Sequence, residues 1–107
     1  MKPSTSITPL RLLAAITALI AVSPSLAQEK LTPGSLLGAS CAACHNTQGR
    51  SVEGTPVLAG IPREQFVASL KDFQSGARRA TVMHRHSKGY NEQEIELLAD
   101  YFSAQKR

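Results

Sequence analysis

Apolar side chains recur with helical spacing in three segments of this chain, and no segment shows the alternation of a strand. The clearest segment begins at Asn91, which has the N-cap position, and Glu94 stands three residues further on, as in a capping box. The apolar face of this segment consists of Ile95, Leu98, Ala99 and Phe102. We therefore predict a helix from Asn91 to about Gln105.

Two further helices are predicted upstream. The first covers residues 34–45, and the second covers residues 63–75 with Pro62 in its first turn and Gly76 as a left-handed cap. The apolar stripe of the second consists of Phe66, Val67, Leu70 and Phe73. Residues 46–60 and 77–90 show no sustained period, and the lead-in from Gln28 to Pro33 is polar and is predicted to be extended. The pattern predicts an all-α domain of three helices joined by two long loops, and loops of this length usually wrap a ligand or carry function.

The first 27 residues have the composition of a secretory signal. Lys2 and Arg11 precede a run from Leu12 to Val22 that is apolar except for Thr17, and small residues follow at 25 and 27. The run is too short to span a bilayer, which takes about 20 apolar residues. We predict export, with cleavage after Ala27, which leaves residues 28–107 as one domain with no membrane span and a periplasmic location.

The predicted domain has few residues with which to build an apolar core. The chain has no tryptophan, three phenylalanines, two tyrosines and two cysteines, and removing the signal lowers its formal charge from +4 to +2. So weak a positive charge, spread along the chain, does not predict nucleic-acid binding. The densest cations are Arg78, Arg79, Arg85 and Lys88, which suggest either a docking surface or solvated loop charge. Small exported domains usually add a cofactor, metal or disulfides to such a core.

Cys41-Ala42-Ala43-Cys44-His45 is a C-x-x-C-H sequence, the attachment signal for c-type haem. Two thiols three residues apart lie on one face of a helical turn and can each add to one vinyl group of a porphyrin. His45, the next residue, is then placed beneath the iron. Disulfide exchange would normally accompany a βαβ pattern, zinc would need two more ligands, and a short structural disulfide would stabilise little.

Met83 is the candidate for the second axial ligand. It is the only methionine after the initiator and lies in the loop before the last predicted helix. A thioether opposite imidazole raises the reduction potential of the iron. His84 and His86 are alternative ligands, although we favour ordinary surface histidines. A labile distal site, as in a gas sensor or peroxidase, is the less favoured alternative.

Residues 41–102 resemble the class I cytochrome c domain found in the cytochrome subunit of sulfide dehydrogenase (flavocytochrome c). The resemblance rests on CAACHNTQGRS at 41–51, TPVLAG at 55–60, FVASLKDFQSGARRATVM at 66–83 and KGYNEQEIELLADYF at 88–102. His84 and His86 depart from the family pattern, which has a glycine and an aliphatic residue there.

This resemblance implies a class I cytochrome c fold around one covalent haem c. Cys41 and Cys44 would form the thioether bonds, His45 and Met83 would ligate the iron, and the carbonyl of Pro56 would accept the ring N–H of His45. It also implies an electron carrier rather than an enzyme, which accepts electrons from a flavoprotein that oxidises sulfide. A freely diffusing monohaem carrier that serves an oxidase or reductase is the alternative.

Overall fold

The computed structural model describes residues 30–51 and 54–107, and within those ranges it is helical with no strand. Its helices are α1 (Pro33–Gly38), α2 (Ala42–His45), α3 (Arg63–Ser75), α4 (Met83–His86) and α5 (Glu92–Ser103). This confirms the all-α prediction for that part of the chain. The predicted signal peptide, residues 1–27, lies outside the described residues. No helix in the two described ranges is long and apolar enough to cross a membrane.

The helix predicted over 34–45 is present as α1 and α2, joined by a 3-10 turn over Ala39–Cys41. The backbone keeps right-handed helical angles through the junction, so the segment is continuous. It begins one residue earlier than predicted, because Thr32 and Ser35 form a capping box that places Pro33 in the first turn. The prediction of an extended lead-in through Pro33 is therefore wrong at its last residue.

The bounds predicted for α3 are confirmed, and those for α5 agree to within two residues. Gly76 ends α3 with a φ of 82°, the left-handed angle that glycine adopts without strain. Pro62 is the N-cap residue of α3 and not part of its first turn. The capping box of α5 is formed, since the Glu94 N–H donates to Asn91 Oδ1 and the Asn91 N–H to Glu94 Oε2, both at 2.9 Å.

The prediction of an irregular stretch over 77–90 is wrong for its central part. Helix α4 makes one turn at Met83–His86, and a 3-10 turn over Ser87–Gly89 continues it. Two turns are too short to show apolar periodicity in a sequence, and a helix of this length depends on tertiary contacts. Here α4 packs against α3, which supplies those contacts.

Helix α5 is the centre of the packing, with α1 on one side and α3 on another. The buried cluster contains Phe66, Leu70, Ile95, Leu98, Ala99 and Phe102. The rings of Phe66 and Phe102 stack with centroids 5.5 Å apart, which joins α3 to α5. The apolar stripes predicted for these two helices therefore form one core.

Two glycines allow α1 to lie directly on α5. A Cβ added at Gly34 would be 2.5 Å from the carbonyl oxygen of Leu97, and one at Gly38 would be 2.9 Å from the ring of Tyr101. These residues are four apart, so they share one face of α1. The contact fixes the direction in which the chain continues into α2, and so the position of the C-x-x-C-H sequence.

We predict that Gly34→Ala lowers the free energy of unfolding of the haem-loaded protein by about 1–2 kcal/mol. A methyl group there meets a backbone carbonyl that cannot rotate away, and overpacking of this kind outweighs the better helix propensity of alanine. Urea unfolding followed by circular dichroism measures the change.

Gly89→Ala is the matched control, because Gly89 has a negative φ and open space around its Cα. We expect this variant to stay within about 0.5 kcal/mol of the parent protein. Equal stability of the two variants would contradict the close contact between α1 and α5.

Candidate functional site

The two thiols lie near the end of the helical segment formed by α1 and α2: Cys41 ends the 3-10 turn that joins the two helices, and Cys44 lies in α2. Cys41 is half-buried and packs against the core cluster, whereas Cys44 is exposed, and neither forms a disulfide. Burial raises the pKa of the Cys41 thiol, and hydrogen bonding with Ser40 and Tyr90 partly opposes this effect. The chain thus presents two separate thiols one helical turn apart, the arrangement that attachment of a flat ring requires.

His45 ends α2 and is buried, with 8% of its surface exposed. Its Nδ1 lies 2.8 Å from the carbonyl oxygen of Pro56. A carbonyl can only accept a hydrogen bond, so Nδ1 carries the ring proton and Nε2 keeps a lone pair. An imidazole held in this tautomer is prepared to bind a metal through Nε2.

Positive backbone angles turn the chain back immediately after His45. Asn46, Gln48 and Gly49 have φ values of 62°, 58° and 73°. The Gly49 carbonyl then accepts hydrogen bonds from the N–H groups of Leu58, at 2.8 Å, and Ala59, at 3.1 Å. This closed loop brings Pro56 to the imidazole ring.

Ser51 strengthens the same loop closure. Its hydroxyl oxygen lies 2.7 Å from the Pro56 carbonyl oxygen and 3.1 Å from the His45 carbonyl oxygen. The hydroxyl has one proton and can donate to either acceptor, which ties the loop to the end of α2. Sequence reasoning did not single out Ser51, because a serine in a loop has no local signal for such a role.

Met83 is half-buried at the first residue of α4 and packs against the same core cluster as Cys41. The structure therefore brings two of the predicted site residues, 42 positions apart in sequence, to one apolar cluster. Val57 and Val82, the chain neighbours of Pro56 and Met83, remain 45% and 48% exposed. Each of these two predicted site residues therefore has an exposed apolar side chain next to it in the chain.

Gln74 holds the segment that carries Met83. Its Nε2 donates to the carbonyl oxygens of Ser87, at 2.8 Å, and Tyr90, at 2.9 Å. The hydroxyl of Tyr90 is 2.6 Å from Ser40 Oγ, which lies next to Cys41. The segment 83–90 is thus attached to α3 and to the 3-10 turn that contains Cys41. Nothing in the sequence identified Gln74, since a polar residue near the end of a helix is unremarkable.

The two histidines after Met83 have different surroundings. His86 is exposed, as favoured from the sequence, whereas His84 is half-buried and its Nδ1 lies 3.1 Å from the carbonyl oxygen of Ala80. Among the described residues, no group of three or more His, Cys, Asp or Glu side chains could hold a metal ion.

Comparison with known proteins places this arrangement in a family. The model of the family described as cytochrome c matches residues 32–106. The cytochrome subunit of sulfide dehydrogenase from Chlorobaculum tepidum is 42% identical over 82 residues, which cover 77% of this chain and 74% of that protein.

Two further relatives are named for proteins other than sulfide dehydrogenase. The thiosulfate dehydrogenase electron acceptor from Thiomonas intermedia is 37% identical over 70 residues, which cover 64% of this chain and 32% of that protein. Cytochrome c-553 from Helicobacter pylori is 28% identical over 72 residues, which cover 65% of this chain and 75% of that protein.

Membership of this family identifies the cofactor as haem c, and the residues described above are suited to bind it. A turn with two thiols, a buried imidazole with a fixed tautomer and a sparse core with exposed apolar loop residues are together suited to one flat, iron-containing ring. The chain belongs to the cytochrome c family and is an electron carrier with covalently attached haem c.

Proposed function

We propose that Cys41 and Cys44 form the two thioether bonds to one haem c and that His45 and Met83 ligate its iron. The observation that carries the proposal is the hydrogen bond from His45 Nδ1 to the Pro56 carbonyl, which leaves Nε2 available to a metal on the residue that directly follows Cys44. When bound, the haem iron takes up and releases one electron at a time. The side chains hold the ring and make or break no bond during the transfer.

The proposed role of each ligand follows from its chemistry. The Pro56 carbonyl accepts the His45 ring proton, which fixes the orientation of the imidazole and increases its basicity. Met83 offers a neutral, polarisable sulfur, and such a ligand opposite imidazole favours reduced iron and raises its potential. The pair suits a protein that receives electrons.

The proposed donor is a flavoprotein of the sulfide dehydrogenase type. Support comes from the 42% identity to a protein named as the cytochrome subunit of that enzyme. In this proposal the chain is exported after cleavage behind Ala27 and works in the periplasm, and oxidation of sulfur takes place on the flavin partner. The second candidate is a carrier for another dehydrogenase, which the relative named as an electron acceptor of thiosulfate dehydrogenase favours.

Isolation from the native periplasm tests the choice of partner. If the chain is a subunit of the proposed complex, size-exclusion chromatography without denaturant should recover haem and flavin absorption in one peak. A lone haem-containing monomer, with flavin absent from every fraction that contains it, would contradict the flavoprotein proposal and favour the diffusing carrier.

Met83→Ala tests the axial ligand. We expect the variant to lose the weak red absorption band of thioether-bound ferric haem and to show a lower reduction potential, because the soft ligand is gone. Visible spectroscopy and redox titration measure the two effects. Val82→Ala is the control, since Val82 is adjacent and exposed. A red band that survives Met83→Ala would show that the ligand is another residue.

Gln74→Ala tests the attachment of the segment that carries Met83. The carbonyls of Tyr90 and of the fully buried Ser87 lose the Gln74 donor, and the Ser87 carbonyl keeps only the longer bond from the Tyr90 N–H, at 3.3 Å. We expect a cost of about 1–3 kcal/mol in local opening. We therefore expect the red band to disappear at a lower urea concentration than in the parent protein, ahead of the unfolding of α5.

Gln105→Ala provides the matched control. Gln105 Nε2 donates to the Tyr101 carbonyl at 2.9 Å, within a single turn of chain at the other end of α5. The red band should keep its parental midpoint in this variant. If Gln74→Ala moves band loss and global unfolding by the same amount, Gln74 contributes to overall stability only.

A further inference from the structure

Met83 lies at one end of a short helical segment whose other end is Tyr90. Helix α4 begins at Met83, and the 3-10 turn over Ser87–Gly89 continues it with right-handed helical angles at the junction. The Tyr90 N–H then donates to the Ser87 carbonyl at 3.3 Å. Because consecutive helical turns connect the two residues, a restraint on Tyr90 also restrains the position of Met83.

The chain on the other side of Met83 is mostly exposed. Of residues 77–82, all but Ala80 are exposed, so this stretch buries little surface that could fix Met83 from that side. The far end of segment 83–90, by contrast, receives the two hydrogen bonds from Gln74. The position of Met83 therefore depends strongly on what holds the Tyr90 end of the segment.

The side chain of Tyr90 connects this end to the 3-10 turn that contains Cys41. Its hydroxyl oxygen lies 2.6 Å from Ser40 Oγ, between residues that are 50 positions apart. Ser40 Oγ is also 3.0 Å from the carbonyl oxygen of Leu37, which can only accept a hydrogen bond. Ser40 has one hydroxyl proton, so when it donates to Leu37 the Tyr90 hydroxyl is the donor to Ser40. This direction satisfies all three groups.

The two hydroxyls also lie at the proposed haem attachment site. Both form hydrogen bonds with the Cys41 thiol, and the side chains of Cys41, Met83 and Tyr90 all pack against the core cluster. A thiol has a proton and competes for these oxygens, whereas a thioether sulfur has none and is a weak acceptor. Formation of the proposed thioether bond at Cys41 thus leaves Ser40 Oγ as the stronger acceptor for the Tyr90 proton.

We propose that Tyr90 is a positioning residue for the second axial ligand: its hydrogen bond to Ser40 holds segment 83–90 against the turn that contains Cys41 and so keeps Met83 in place. The inference rests on the proposed function, in which Met83 ligates the iron. Tyr90 acts through the backbone of segment 83–90 and not by binding the metal. When the bond between the two hydroxyls breaks, the segment opens more often and the axial position becomes accessible to a ligand from solvent.

Displacement of Met83 by imidazole measures how often the segment opens. The ferric holoprotein is mixed with imidazole by stopped flow, and loss of the weak red band is followed. At high imidazole concentration the rate reaches a plateau that equals the rate of opening, because binding of imidazole then no longer limits the exchange.

The test variants are Tyr90→Phe and Ser40→Ala, each of which removes one hydroxyl of the pair, together with the double variant. Ser103→Ala is the matched control. Ser103 Oγ donates to the Asp100 carbonyl at 3.1 Å, three residues earlier, as Ser40 does to Leu37, but it lies at the end of α5.

We expect the plateau rate to rise about threefold in Tyr90→Phe and in Ser40→Ala, a modest effect because water replaces an exposed hydrogen bond in the open state. The double variant should show about the same rise as either single variant, since both changes remove the same bond. Ser103→Ala should keep the parental rate. A parental plateau in Tyr90→Phe, or two rises that multiply in the double variant, would overturn the proposal.

Low concentrations of urea show whether the opening is local. A local opening exposes little surface, so the plateau rate of the parent protein should barely depend on urea. A steep dependence, parallel to that of global unfolding followed by circular dichroism, would overturn the proposal, because Tyr90 would then act through overall stability.

The same samples separate this proposal from the proposed function. Absence of the red band from the parent protein would contradict the assignment of Met83 as the ligand. A normal red band that imidazole displaces equally fast in every variant would contradict only the role of Tyr90.

Discussion

The direct contact of α1 with α5 is the constraint on which the site depends. Gly34 and Gly38 let the two backbones approach until a single methyl group at Gly34 would meet the carbonyl of Leu97. Since α5 supplies four of the six residues of the core cluster, this contact joins the core to the helical segment that ends in His45. A wider separation would move the thiols and the imidazole away from the core together.

Two sets of hydrogen bonds hold the segments that carry Pro56 and Met83, and both use side-chain donors to backbone carbonyls. Ser51 and the His45 ring meet at the Pro56 carbonyl, whereas Gln74 reaches the carbonyls of the segment after Met83. Long loops expose many polar backbone groups, and each of these bonds satisfies groups that would otherwise need water. The loop with Pro56 and the segment that carries Met83 are therefore held in place although neither contains a long helix.

Sequence reasoning predicted the features that have a local signal. The capping box at Asn91, the left-handed Gly76 and the apolar stripes of α3 and α5 each follow from residues close together in the chain, and the structure confirms them. Helix α4 and the roles of Ser51 and Gln74 were not predicted, because they depend on contacts between distant segments. The assignment of His45 and Met83 as iron ligands stays a prediction, although the family and its haem c are established.

The charged side chains of α3 and α5 pair with each other, whereas several cations around α4 take part in no ion pair within the described ranges. Arg63 pairs with Glu96 and Asp100, and Lys71 pairs with Glu92, so the cations on the solvent side of α3 are matched by acids of α5. Exposed pairs of this kind contribute little to stability, but they leave no excess positive charge on that face. Arg78, Arg79 and Lys88, which lie around α4, take part in none of the ion pairs of the described ranges. The field of the protein is therefore more positive around α4, which carries the proposed ligand Met83, than beside the ion pairs of α3 and α5.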